Sequence, residues 1–370
     1  MDEILRLEPT VFAVDDTYQI FIPVNCQVLM WVRIGKECYY NHSNGVMRSN
    51  VTVHKIVVPA EELNKEKKYT ICCRKIIERK PYYTETEDEI QKSYDFYPVE
   101  GDSVRTYHIS DAHVLCEQPI EAAKTYERAF GEIDFLILNG DIIESSQRIE
   151  SFDRIYKICG EITHGNKPVV FSRGNHDTRG IYAENLAEYT PCNNGISYYP
   201  VRLGKFWAIV MDCGEDKPDE RIEYGHTICC HSFRKEETKY LEKLIAENKQ
   251  SGGAYNDESI KYKAVIAHNP FTWLNTPPFD IEKELYSYWA KLLNDEIKPH
   301  IMLCGHLHKL EINKKGGDAD HLGQPCDVII GSVPDYERKY FAGVGLYFSP
   351  QGIEVAFTDS DGKILREEKM

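Results

Sequence analysis

The sequence predicts an α/β domain over residues 101–370, preceded by a small all-β domain over residues 1–100. Three observations carry this. The first hundred residues offer apolar and β-branched runs separated by turn signals, with a single helical segment. From Val104 onward strands alternate with helices, the pattern of a layered sheet with buried strands. The chain then ends on strands without helices, as a second sheet closing the core. Length agrees, since 370 residues correspond to two domains at roughly 150 each.

In the first segment, strands are expected at Tyr18–Val24, Val28–Ile34, Val51–Val58 and Tyr69–Ile77. Asn44-Gly45 marks a tight turn, and Glu61–Lys67 a short helix. Strands at this spacing suggest a β-sandwich. Leu63 followed by Tyr69 resembles the tyrosine corner of immunoglobulin-like and fibronectin-like domains, where the hydroxyl bonds back to the chain; an ordinary strand-edge Tyr fits equally well. Residues 80–103 read as a junction, with acidic Glu85–Glu89 as a solvated loop.

In the second segment, strands are expected at Val104–Ile109, Phe135–Leu138, Pro168–Ser172, Phe206–Met211, Lys263–Ala267 and Ile301–Leu303. Helices are expected at Pro119–Phe130, Gln147–Ile162, Lys235–Asn248 and Ile281–Asn294. Cys326–Ile330, Gly345–Phe348 and Ile353–Thr358 supply the closing strands. Roughly 260 residues suffice for one sizeable core.

Composition narrows the function. Charged residues make up 28% and hydrophobic ones 42%, as in globular proteins rather than disordered ones. The formal charge of −15 argues against general binding of nucleic acid or anionic lipid, both polyanions. No run approaches the ~20 apolar residues that cross a bilayer, and MDEILRLEPT lacks the character of a signal peptide. The twelve cysteines form no C-x-x-C pair, and Cys72/Cys73 and Cys229/Cys230 are adjacent. Cys72, Cys73, Cys116, Cys159, Cys213 and Cys304 lie in or near apolar stretches and read as reduced core thiols, and the expected location is cytoplasmic.

The chemistry gathers at strand ends. Ile109 leads to Ser110-Asp111-Ala112-His113, and Leu138 to Asn139-Gly140-Asp141. Phe171 leads to Gly174-Asn175-His176-Asp177, Ala267 to His268, and Leu303 to Gly305-His306-Leu307-His308. Ligands of open α/β sheets bind beyond the carboxyl ends of the strands, so these five loops can meet at one place. In extended chain, residues two apart face the same way, which would aim Asp111 with His113 and His306 with His308. Taken singly, each motif has a plainer reading: a surface pair, a helix cap, a turn, a structural histidine. Their order and their shared place on strand ends argue against coincidence.

This ordered set is similar to the signature of calcineurin-like metallophosphoesterases, over about Val104 to Phe357. The resemblance implies a four-layer α/β/β/α sandwich holding two metal ions. The β-rich first segment is similar to the one preceding the catalytic domain of purple acid phosphatases. By motif position, Asp111, His113 and His308 would bind one ion, Asn175, His268 and His306 the other, and Asp141 both. Imidazole, carboxylate and amide donors suit divalent or trivalent Mn, Fe, Zn, Ni or Co rather than Ca. The implied reaction is phosphoester hydrolysis, with metal-bound hydroxide attacking phosphorus directly. His176 would serve the leaving group, Asp177 would orient it or cap the loop, and Arg173 or Arg179 would grip phosphate oxygens.

One position departs from purple acid phosphatases. Their Tyr three residues after the Gly-Asp aspartate is replaced by Glu144, read here as a helix-start residue rather than a group behind a ligand. His226 and His231, in the irregular insertion Asp212–Arg234, read as solvated. Phe271 and Trp273 either stack on substrate or pack their loop. The expected partner is a small phosphoester, with no membrane; the oligomeric state is left open. A nuclease or cyclic-nucleotide phosphodiesterase on the same ions is a second reading. A non-catalytic binding module with a vestigial metal site is a third.

Overall fold

The computed structural model describes residues 1–370 apart from 2, 252, 274 and 275. Its largest element is a ten-stranded sheet. In spatial order this runs Ile364–Lys369, Gly352–Asp359, Tyr340–Ser349, Val104–Ile109, Phe135–Asn139, Pro168–Ser172, Thr10–Val14, Thr17–Pro23 and Val53–Pro59, with Val333–Asp335 beside Tyr340–Ser349. The four strands from Val104–Ile109 to Thr10–Val14 are parallel. A second sheet of six strands runs Tyr199–Leu203, Phe206–Met211, Tyr262–Ala267, Ile301–Cys304, Asp327–Gly331 and Leu310–Asn313.

Side-chain alternation along the buried strands creates the layers. Ile137, Val170, Ile266 and Leu303 point into the space between the two sheets. Their neighbours Leu136, Leu138, Val169 and Phe171 turn outward against Ile120, Tyr126, Ile155 and Ile162 of the helices Glu117–Phe130 and Asp153–Thr163. On the opposite side, Val265 and Met302 meet Leu241 and Trp289 of the helices Cys230–Ser251 and Lys283–Leu292. The result is the α/β/β/α order. Each such side chain contributes about 1.5–3 kcal/mol when fully buried, so strands apolar on both faces settle between layers. No helix among the described residues is long and apolar enough to cross a membrane.

The all-β region at the N-terminus is joined to this core. A five-stranded sheet, Ile90–Asp95, Lys68–Lys80, Val28–Ile34 and Glu37–Tyr40 with Tyr83–Thr86 at its side, faces the strands Thr10–Val14, Thr17–Pro23 and Val53–Pro59. Met30, Val32, Ile71 and Cys73 pack with Ala13, Ile20, Ile22 and Val58 in one cluster that continues between the two large sheets. One sheet of the N-terminal sandwich is thus also the edge of the ten-stranded sheet, through the parallel pairing of Val11 and Phe12 with Pro168 and Val169.

The Tyr69 hydroxyl donates across this junction to the Gly165 carbonyl, 2.9 Å away, rather than turning back on its own strand. Gly165 is left-handed at φ 70°, and a Cβ there would lie 2.9 Å from both that hydroxyl and Pro9. Two local expectations shift. The junction contains the strand Ile90–Asp95, whose pairing with Lys68–Cys73 outweighs its polar composition. The helix expected from Gln147 begins at Asp153, after a short 3-10 turn. None of the twelve cysteines is bridged.

Candidate metal centre

Seven of the residues singled out in the sequence come together where strands of both large sheets end. Asp111, His113, Asp141 and Asn175 follow strands of the ten-stranded sheet, and His268, His306 and His308 follow strands of the second. Asn139 ties the two sheets below them. Its amide nitrogen donates to the Leu303 carbonyl at 3.0 Å and lies 2.9 Å from His108 Nε2. The loops are laced to one another as well: Asp111 N–H donates to the Gly140 carbonyl at 3.1 Å, His113 N–H to the Asp141 carbonyl at 3.0 Å, and His306 N–H to the Asp111 carboxylate at 3.0 Å.

The local conformation is not the extended chain expected from strand alternation. Asp111, His113, Asp141, His306 and His308 all have left-handed backbones, with φ of 53°, 48°, 54°, 68° and 51°. For non-glycine residues this costs on the order of 1–3 kcal/mol each and persists where the surroundings over-determine it, a pattern concentrated at functional sites. The glycines permit the crowding. A Cβ on Gly140, itself at φ 75°, would lie 2.6 Å from the His268 ring, and one on Gly174 would lie 2.2 Å from Asp141 Oδ1.

Three groups of donor atoms result, each with its members within 4.8 Å of one another: Asp111, His113 and His308; His113, Asp141 and His176; Asp141, His268 and His306. Asp141 belongs to two of them. Asn175 adjoins the third, its Oδ1 lying 3.0 Å from His306 Nδ1. His308 Nε2 is 3.4 Å from Asp111 Oδ1, and His268 Nε2 is 3.2 Å from Asp141 Oδ2 and 3.7 Å from Asp111 Oδ1.

The donor set fits metal ions. His268 Nδ1 donates to the Asn139 carbonyl at 2.7 Å, which leaves Nε2 as the nitrogen that could hold an ion. That Nε2 is buried, makes no hydrogen bond, and faces two carboxylates. Acceptors converge this closely only around positive charge. With protons alone, burial lowers the His268 pKa, but Asp141 and Asp111 outweigh it and lift it to about 10. Burial likewise raises Asp111 and Asp141, while His268 overrides it and holds both below the usual carboxylate range. A cation shared among these groups removes the same conflict.

The neighbouring residues divide. His176 lies edge-on to His113, with ring centroids 4.5 Å apart. Its Nδ1 donates to the Glu144 carbonyl at 3.0 Å, and Arg179 Nη1 donates to its Nε2 at 2.9 Å. Asp177 is placed beneath the loops: its Oδ2 accepts from Gly174 N–H at 2.8 Å and Asp141 N–H at 3.1 Å. Burial, then Asp141, pushes its pKa up to about 7. Asp177 thus caps both the Gly174 and the Asp141 loop. Glu144 starts no helix; its Oε2 lies 3.1 Å from His113 Nδ1, behind the metal-facing edge of that ring. Arg173 is drawn away into an ion pair with buried Asp212 at 2.7 Å. Arg179 stays beside His176 but holds Glu215 through Nε at 2.8 Å and Nη2 at 3.1 Å.

Other residues belong here that sequence reasoning passed over. Asp216 Oδ2 is 3.3 Å from His306 Nε2. The Tyr336 ring lies edge-on to His113 at 5.8 Å. The available signal was a sixth strand end: Phe206–Met211 runs into Asp212-Cys213-Gly214-Glu215-Asp216, all buried although they open the irregular insertion. His226 and His231 are exposed, as expected, with His231 2.6 Å from Glu282. Phe271 packs in the core against Tyr286 and Trp289, and Trp273 carries Lys309 over its ring at 4.8 Å.

Comparison with known proteins bears on this geometry. Residues 104–310 match the calcineurin-like phosphoesterase family. Among solved structures, the purple acid phosphatase PPD1 from yellow lupin (Lupinus luteus) seeds is similar with a TM-score of 0.58 at 12% identity, over 97% of this chain and 73% of that one. PhoD is similar with a TM-score of 0.56 at 11% identity, over 99% of this chain and 89% of that one. Both likenesses take in the N-terminal β region. No curated protein matches.

Proposed function

The chain belongs to the calcineurin-like phosphoesterase family, and on that premise we propose that it is a phosphoester hydrolase working with two metal ions. The observation that carries this is the place of Asp141, which groups with His268 and His306 on one side and, on the other, with His113, itself a member of the group with Asp111 and His308. On this reading Asp111, His113 and His308 hold one ion, Asn175, His268 and His306 the other, and Asp141 spans both. Two bound ions supply an activated water for in-line attack and positive charge for the phosphoryl oxygens.

The remaining work falls to the chain. The Glu144 carboxylate lies 3.1 Å from His113 Nδ1, on the side of the ring away from Asp141, and adds negative charge there without a hydrogen bond. The Glu144 carbonyl fixes His176 through Nδ1, which leaves Nε2 toward Arg179 and the open side. In this structure that Nε2 accepts from Arg179, so to serve the departing oxygen His176 would take up a proton from solvent at Nε2, with the Arg179 contact released, and pass it on. Asp177 holds the Gly174 and Asp141 amides, and with them the two loops that carry Asn175 and Asp141. Arg179 orients His176 and borders the phosphoryl position.

The test is hydrolysis of p-nitrophenyl phosphate and bis(p-nitrophenyl) phosphate by Mn-reconstituted protein, with and without chelator. Chelator-sensitive turnover of either ester supports the reading. No turnover of any phosphoester by protein shown to carry its metals would favour a binding module.

A further inference from the structure

We infer that this site takes phosphodiesters, which carry one charge, in preference to fully ionised phosphomonoesters, which carry two; this rests on the reading of the site as a phosphoester hydrolase. The first argument is charge. Beyond Asp111 and Asp141, two more carboxylates crowd the cluster: Glu144 lies 3.1 Å from His113, and Asp216 lies 3.3 Å from His306. The cations brought near are already committed. Arg179 is held in a two-point pair by Glu215, Arg173 lies 2.7 Å from Asp212, and Lys217 lies 3.2 Å from Glu223. Arg154 donates from beneath to the His113 carbonyl. A second phosphoryl charge would thus meet carboxylates without a free cation among these four, whereas a diester brings only the charge that the ions themselves answer.

The second argument is room. A diester needs space for the substituent that does not leave. A cavity of about 480 Å³ opens beside Arg179, the residue that touches His176 Nε2. Its walls combine Ile181 and Tyr224 with the carboxylates Glu184, Glu215 and Glu223. Apolar surface suits an organic substituent; with Glu215 paired to Arg179 and Glu223 to Lys217 and Arg221, the wall offers an anionic one no free cation and meets it with Glu184. With the chain's charge of −15, this disfavours a polyanion such as nucleic acid.

The experiment compares two substrates with the same leaving group, p-nitrophenyl phosphate and methyl p-nitrophenyl phosphate, on one metal-loaded preparation at a pH where the monoester is fully ionised. The expected kcat/KM is at least about tenfold higher for the diester. Glu215→Gln, which frees the Arg179 guanidinium, is expected to move this ratio several-fold toward the monoester and to tighten inhibition by inorganic phosphate. Equal rates, or a faster monoester, in the unsubstituted protein would overturn the inference while leaving the hydrolase reading intact. No turnover of either substrate by protein shown to hold its metals would overturn the hydrolase reading itself.

Discussion

The Asp216 carboxylate lies 3.3 Å from Nε2 of His306, while the amide of Asn175 lies 3.0 Å from Nδ1 of the same ring. One nitrogen is thereby occupied by a carboxylate and the other is kept for the metal side. Glu144 stands near His113 more loosely, its carboxylate 3.1 Å from Nδ1 without a hydrogen bond, while Nε2 of that ring lies 4.0 Å from Asp141. Partners of this kind fix the tautomer and raise ligand basicity, and their loss costs about 10–100-fold in metal affinity. Asp216→Ala is expected to weaken one of two ions by that amount, with Asp216→Asn, which retains an acceptor, losing less. Metal titration reads both variants. Unchanged affinity in Asp216→Ala would mean that the carboxylate is only a neighbour.

His176 is held by its backbone N–H on Asp141 Oδ1 at 2.8 Å and by Nδ1 on the Glu144 carbonyl. His176→Ala is expected to keep both ions and to lower kcat by about 10²–10⁴-fold for poor leaving groups. The loss should shrink for p-nitrophenolate, which departs without a proton. Equal losses across a series of leaving groups would contradict proton delivery.

Tyr69 and Gly165 join the N-terminal sheet to the turn after the helix Asp153–Thr163. Tyr69→Phe leaves a buried carbonyl without its donor, and a loss of about 1–3 kcal/mol is expected, read as a lowered Tm with metal content unchanged. Removal of residues 1–100 goes further. It strips Thr10–Val14 from the edge of Pro168–Ser172, one strand from the loop bearing Asn175 and His176, and exposes an apolar edge. The expected product is insoluble; a soluble fragment that still binds metal would show that the second segment folds alone.

Much of this was legible in the chain. Short apolar runs such as Phe135–Leu138, bounded by turn residues, read as strands covered on both faces, and a polar residue directly beyond such a run then emerges at the end of the strand. That is why Asp111, Asp141, Asn175, His268, His306 and His308 could be named together. Their backbone conformation could not, because Asp-x-His reads as extended chain whereas close loop packing imposes left-handed angles on both residues. Asp216 escaped because a polar insertion looks solvated, whereas here the residue is buried between Tyr224 and His306. The sharing of a sheet between the two segments was equally hidden, since Thr10–Val14 finds its partner more than 150 residues away and short-range pattern carries no trace of that pairing. Arg173 faced a buried carboxylate that sequence distance concealed.

Asp141 is the residue on which the dinuclear reading turns. Asp141→Asn is expected to loosen both ions and abolish turnover, while protein that still holds two ions tightly would argue against a shared carboxylate.

The most direct measurement is anomalous diffraction at the metal absorption edge on crystals of reconstituted protein. Two peaks per chain, about 3.5–4 Å apart, with the Asp141 carboxylate in contact with both, are predicted. A single peak, or two of which Asp141 touches only one, would contradict the account.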